Sequence, residues 1–131
     1  MRTYTKTVFN DFVVGTGSTY TTSEHNKLLG SAGKIAFQVV GDQVSGTSPT
    51  LTLQIEHSSD GRNWSNRSGT AEINAQSLSS SATNVLFASD AGATPLLGFV
   101  RLRIALGGTS PNAHVKITAV GRDNGAEASA S

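Results

Sequence analysis

Side chains able to carry acid–base, nucleophilic or metal chemistry are few in this chain, and they are scattered. The three histidines, His25, His57 and His114, lie far apart, and no two share the spacing of a metal-ligand pair. There is no cysteine, so disulfides and thiolate chemistry are excluded. His57-Ser58-Ser59-Asp60 places the three residue types of a catalytic triad side by side. A triad, however, is assembled by the fold, and near-neighbours along a strand end do not reach its geometry, so the segment reads as a polar-capped turn. No Gly-x-Ser-x-Gly elbow occurs. Asp42, Asp60, Asp90 and Asp123 fall at expected turns, where aspartate bonds its own backbone, while Glu56 and Glu72 fall on outward strand faces. None has the spacing of a calcium loop. Gly15-Thr16-Gly17 is a fragment of a phosphate-binding fingerprint, but Tyr20 stands where the third glycine belongs and no helix follows. The sequence therefore nominates no catalytic residue, no metal ligand and no cofactor.

What remains are contact residues. Trp64, the only tryptophan, follows the tight-turn dipeptide Asp60-Gly61 and begins a return strand. Its indole either stacks on a sugar face or covers the edge of the core. Arg101 and Arg103 share one face of a strand, with Lys116 expected to face them from the next; this is a patch for an acidic partner or a solvated face laced with Glu56 or Asp123. The apolar run Val8-Phe9-Asn10-Asp11-Phe12-Val13-Val14 offers Phe9, Phe12 and Val13 either as a docking arm or as the first core strand.

The elements that must position these residues are strands. Ile35, Phe37 and Val39 alternate with polar or small neighbours, as do Leu51, Leu53 and Ile55, then Val100, Leu102 and Ile104, then Val115, Ile117 and Ala119. Such period-2 runs mark antiparallel sheets with one dry and one wet face. Weaker strands fall at 4–9, 12–14, 18–22, 70–73 and 85–87, and Ser23 is placed to cap one helical turn over 24–29. About eight short strands without a long helix predict an all-β fold, an antiparallel β-sandwich of jelly-roll type. The organisation expected is an N-terminal arm with the first strands over 1–30, a sandwich core over 31–122 and a polar tail over 123–131.

Composition agrees with this. The chain has 131 residues, 15% of them charged, with a net charge of +1. That length suits one domain, and the near-neutral charge lacks the basic excess of a nucleic-acid binder. No apolar stretch is long enough to span a bilayer, and the first residues lack the apolar core of a secretory signal.

One internal echo stands out. Gly46-Thr47-Ser48-Pro49 recurs as Gly108-Thr109-Ser110-Pro111, each copy between two clear strands. This predicts two long equivalent hairpins with matching tips, glycine allowing a positive φ and Ser-Pro setting the return. Chance repetition in a Gly-, Ser- and Thr-rich sandwich is the other reading.

The segment from Leu51 to Trp64, an alternating strand ending in Ser58-Ser59-Asp60-Gly61-Arg62-Asn63-Trp64, resembles one found in small β-sandwich proteins of bacteriophage virions. The later Phe99–Ile104 strand, the Gly107-Gly108-Thr109 turn and the 113–122 strand are similar to the end of the same proteins. The resemblance spans roughly residues 33 to 123 and carries no catalytic residues. It implies a head-decoration or other accessory role on the particle: a non-enzymatic structural protein, made in the host cytoplasm and located on the virion. The implied partners are the major capsid protein or another virion protein, and further copies of the chain, a trimer being favoured. The alternative is a carbohydrate-binding or adhesion module using Trp64 and its neighbouring loops.

Overall fold

The computed structural model describes residues 3–21, 34–89 and 96–122. The helical turn expected at 24–29 and the tail at 123–131 lie outside them. Among the described residues seven strands follow in order: β1 (Thr3–Val14), β2 (Thr19–Tyr20), β3 (Lys34–Ser58), β4 (Ser65–Asn66), β5 (Ile73–Ser77), β6 (Asn84–Ser89) and β7 (Phe99–Arg122).

Two of these, β3 and β7, are far longer than ordinary strands and run antiparallel along their whole length, from Lys34 opposite Arg122 to Ser58 opposite Phe99. Both bend in the middle, so each contributes to two layers. The first layer has the order β1, the later half of β7, the earlier half of β3, and β6. The second joins β2, the earlier half of β7 and the later half of β3, with β4 and β5 along the outer edge. This is the expected antiparallel β-sandwich.

Strand periodicity decides what fills it. Ile35, Phe37, Val39, Val115, Ile117 and Ala119 point inward from the first layer, and Leu51, Leu53, Ile55, Val100, Leu102 and Ile104 from the second, forming one core. Each large side chain hidden this way contributes roughly 1.5–3 kcal/mol of transfer free energy. Within residues 3–21, β1 pairs with β7 along its length and buries Val8 and Val13, and β2 joins the second layer, where buried Thr21 accepts the Leu102 N–H through Oγ1 at 3.1 Å.

The two Gly-Thr-Ser-Pro copies are structurally equivalent, but they are not hairpin tips. They face each other at the bend. Gly46 and Gly108 have φ of 107° and 104°, and Ser48 and Ser110 have φ of 50° and 49°. The register slips between Asp42 and Ser45, between Ser45 and Thr47, and between Thr47 and Thr50, the signature of bulges that turn a paired ribbon through a corner. A Cβ on Gly46 would lie 2.7 Å from the Ser110 carbonyl oxygen, and one on Gly108 would lie 2.6 Å from that of Thr47. Each glycine thus makes room for the other copy's backbone. The prolines complete the symmetry: the Pro49 carbonyl accepts the Leu78 N–H at 3.0 Å, and that of Pro111 accepts the Gly15 N–H at 2.8 Å. A hairpin would need the two halves of β3 to pair with each other. They pair with β7 instead, because a bulged corner carries both strands over without closing either.

Replacing either corner glycine by alanine combines a left-handed φ with a backbone clash, so G46A and G108A should each destabilise the fold by about 2 kcal/mol or more in urea titrations. Gly17, which has open space around its Cα, is the control: G17A should change stability by less than about 0.5 kcal/mol. Because each glycine abuts the other copy, G46A/G108A should fall short of additivity by at least about 0.5 kcal/mol.

Candidate functional site

On the outer face of the second layer, strand register sets Glu56 opposite Arg101, Gln54 opposite Arg103 and Tyr20 beside Arg103. These side chains point away from the core. The Arg101 Nε donates to Glu56 Oε1 at 2.7 Å, and Arg103 Nε lies 3.4 Å from Glu56 Oε2, so one carboxylate serves two guanidinium groups. The Arg101 guanidinium also lies against two rings, 4.0 Å from the Tyr20 centroid and 4.4 Å from that of Trp64. Cation–π contacts of this kind are worth about 0.5–1 kcal/mol each where partly exposed. Together they fix two aromatic side chains on a rigid sheet face, with Glu56 buried beneath them.

Trp64 reaches this position through the turn that precedes it. The Asp60 carboxylate accepts N–H bonds from Arg62 and Asn63 through Oδ1, at 2.8 and 2.9 Å, and the Asn63 side-chain amide at 2.7 Å through Oδ2. Ser58 Oγ donates to Asp60 at 2.8 Å and accepts the Gly61 N–H at 2.9 Å. This network closes the turn, and β4 then starts at Ser65, opposite His57. His57 faces elsewhere, its Nδ1 accepting the Leu97 N–H at 3.3 Å. Ser58, Asp60 and His57 are therefore turn and strand-end fittings. Behind the turn, Glu72 Oε1 accepts the Ile55 N–H at 2.8 Å where β5 leaves that backbone group without a strand partner.

The first layer presents a different surface. Along β1, Val13 is buried and Phe9 is half-buried against the core, while Phe12 and Val14 are 48% and 73% exposed. Phe12 meets His114 of β7 edge-on at 5.1 Å. On the opposite edge β6 exposes Val85 and Phe87.

Of the residues singled out from sequence, the fold brings Trp64, Arg101 and Arg103 together and places Phe9, Phe12 and Val13 on the other layer. Lys116 does not join the arginines: it sits in the first layer between Val40 and Asn10, because the corner has carried β7 into the other sheet. Tyr20 and Phe87 were not anticipated. Tyr20 is tied to Arg103 across about eighty residues of chain, and no local pattern signals that pairing. Among the described residues, no three of His, Asp and Glu converge as a metal group.

The N–H bonds from Asn63 and Arg62 hold the Asp60 carboxyl well below the usual carboxylate range. A carboxylate depressed in the folded state contributes stability that is complete above its unfolded value, near 4, and fades as pH falls below that towards the folded value. Asp60→Ala should therefore lower the denaturation midpoint at pH 7 and flatten its decline as pH falls from about 4 towards 2. Trp64 fluorescence, from the only tryptophan, is the readout.

No family model and no curated protein matches the sequence. Solved structures do. The VP2 protein of infectious bursal disease virus, in derived T=1 particles, superposes with a TM-score of 0.66 at 14% identity, over 95% of this chain and 32% of that one. The same virus in its T13 particle gives 0.67 at 16% identity, over 95% and 31%. The CBM22-1–GH10 portion of xylanase 10B from Clostridium thermocellum, complexed with xylohexaose, gives 0.57 at 13% identity, over 89% and 24%. The chain spans about a third of the viral proteins it resembles. At these identities the likeness is one of fold, a β-sandwich shared with viral particle proteins and with carbohydrate-binding modules.

Proposed function

We propose that this chain is a non-enzymatic structural protein of a phage particle, a capsid decoration protein that acts through contact surfaces. The observation that supports it best is the edge strand β1, which anchors Val13 in the core while holding Phe12 and Val14 out to solvent on a rigid backbone. Apolar side chains displayed this way suit docking against a capsid subunit, and the sandwich is the fold of the particle-forming VP2. Stable docking needs about 1,000 Å² of buried surface, so Phe12 and Val14 would form the centre of a larger contact including His114. The double variant Phe12→Asp/Val14→Asp keeps its buried anchors and should fold. It should lose co-sedimentation with particles at least tenfold, and undiminished co-sedimentation would remove this role from β1.

A second reading rests on the Tyr20–Arg101–Trp64 cluster. Two aromatic rings fixed beside charged hydrogen-bonding groups can hold a sugar, and the fold is also that of a xylan-binding module from Paenibacillus barcinonensis, with a TM-score of 0.50. A decoration protein should give no saturable signal in calorimetric titration with xylohexaose or on a glycan array. Saturable binding that disappears in Tyr20→Ala, with the fold intact, would establish the glycan-binding reading and displace the first.

A further inference from the structure

We propose that β6 is a self-association edge: two copies of the chain pair their β6 strands antiparallel about a two-fold axis, joining their first layers into one continuous sheet. This goes beyond the particle-docking reading above by naming a surface through which copies of the chain meet.

Among the described residues β6 pairs with β3 alone, from Asn84 opposite Gly41 to Ser89 opposite Ala36. Among the described residues its other side has no strand partner and offers a row of backbone donors and acceptors, a template for another strand. Soluble proteins usually guard such an edge with charge, proline, a bulge or brevity. The opposite edge of the layer follows that rule: β1 carries Lys6 and Asp11 and is bulged between Thr7 and Phe9. β6 has neither charge, proline nor bulge; its sequence is Asn84-Val85-Leu86-Phe87-Ala88-Ser89. Leu86 and Ala88 turn towards the core, leaving Val85 and Phe87 60% and 73% exposed on the outer face.

The sequence of this edge is self-complementary. With Leu86 opposite Leu86 of the second copy, Phe87 of each copy stands directly opposite Val85 of the other, on the same outer face and twice over. Aromatic and β-branched residues make favourable cross-strand pairs in this arrangement. A partner strand with charges at those positions would bury them against Phe87 and Val85; a second β6 brings none. With a net charge of +1, two copies also repel each other little.

The absence of native cysteine makes a register test clean. Val85→Cys and Phe87→Cys variants, one carrying an affinity tag, are mixed and mildly oxidised. Directly opposed positions lie within disulfide range and diagonal ones, about 7–8 Å apart, do not. The mixed 85–87 dimer should form at least fivefold more than either self-linked dimer. In sedimentation equilibrium, wild type should dimerise, and Phe87→Lys, altered only at an exposed position, should weaken association at least tenfold while keeping its melting temperature. Equal cross-linking of all pairs, a wild type that stays monomeric, or an oligomer indifferent to Phe87→Lys, as pairing through β1 would give, overturns the proposal. Particle co-sedimentation is measured separately. A chain that dimerises through β6 yet ignores particles refutes the particle reading alone, and one that binds particles as a monomer refutes the β6 pairing alone.

Discussion

Everything in this fold depends on the corner where β3 and β7 cross from one layer to the other. Two paired strands cannot turn sharply without extra residues, left-handed backbone and close approach of the two chains, and the repeated Gly-Thr-Ser-Pro segment supplies all three. The contact is reciprocal. Gly46 admits the Thr109-Ser110 backbone, Gly108 admits that of Thr47 and Ser48, and neither bend can form without the other. Because the same two strands make the centre of both layers, the corner also sets how the sheets face each other and which residues meet in the core.

This explains why so much of the fold was legible in the sequence and why its topology was not. Alternation in Ile35–Val39, Leu51–Ile55, Val100–Ile104 and Val115–Ala119 reports which side of a strand is dry, and the period is local. The repeat was equally visible, and its glycines mark the left-handed positions. Whether a bent strand returns along itself or continues beside another is a question of pairing between distant segments, to which the tetrapeptide is indifferent. Ser48 and Ser110 deepen the ambiguity: both adopt a left-handed φ that serine tolerates but does not advertise. The misplacement of Lys116 follows from the same cause, since its expected neighbours lie on the same strand but beyond the corner.

The candidate sites divide along similar lines. Arg101 and Arg103 share a face by simple alternation, and Glu56 joins them because the register of β3 on β7 puts it opposite Arg101. The turn around Asp60 was legible because Asp-Gly and the flanking serine and asparagine satisfy each other locally. Tyr20 entered the cluster only through the pairing of a two-residue strand with the middle of β7, a contact without a local signature. The exposed partners Phe12 and Phe87 differ in the same way. The first lies in a conspicuous apolar run, whereas the second is one of two outward residues in a short strand whose apolar run suits core and surface equally.

The two outer faces are unlike, and the difference follows from chain routing. The segment from Ser59 to Glu72 folds back on the second layer, bringing Trp64 onto Arg101, the Arg67 N–H to the Ile55 carbonyl and the Glu72 carboxylate to the Ile55 N–H. Glu56 is paired there with Arg101 and Arg103, and Arg101 lies against both aromatic rings, so much of this surface is engaged within its own chain. Among the described residues, nothing comparable lies across the first layer, whose outer face ends in Phe12 and Val14 on one edge and Val85 and Phe87 on the other. An apolar side chain left in water gains more from a partner than one already packed against an arginine. The hydrophobic driving force for association is therefore concentrated on the first layer, and the two edges suit different contacts. β1 is charged and bulged, devices that oppose strand pairing, whereas β6 has neither charge, proline nor bulge.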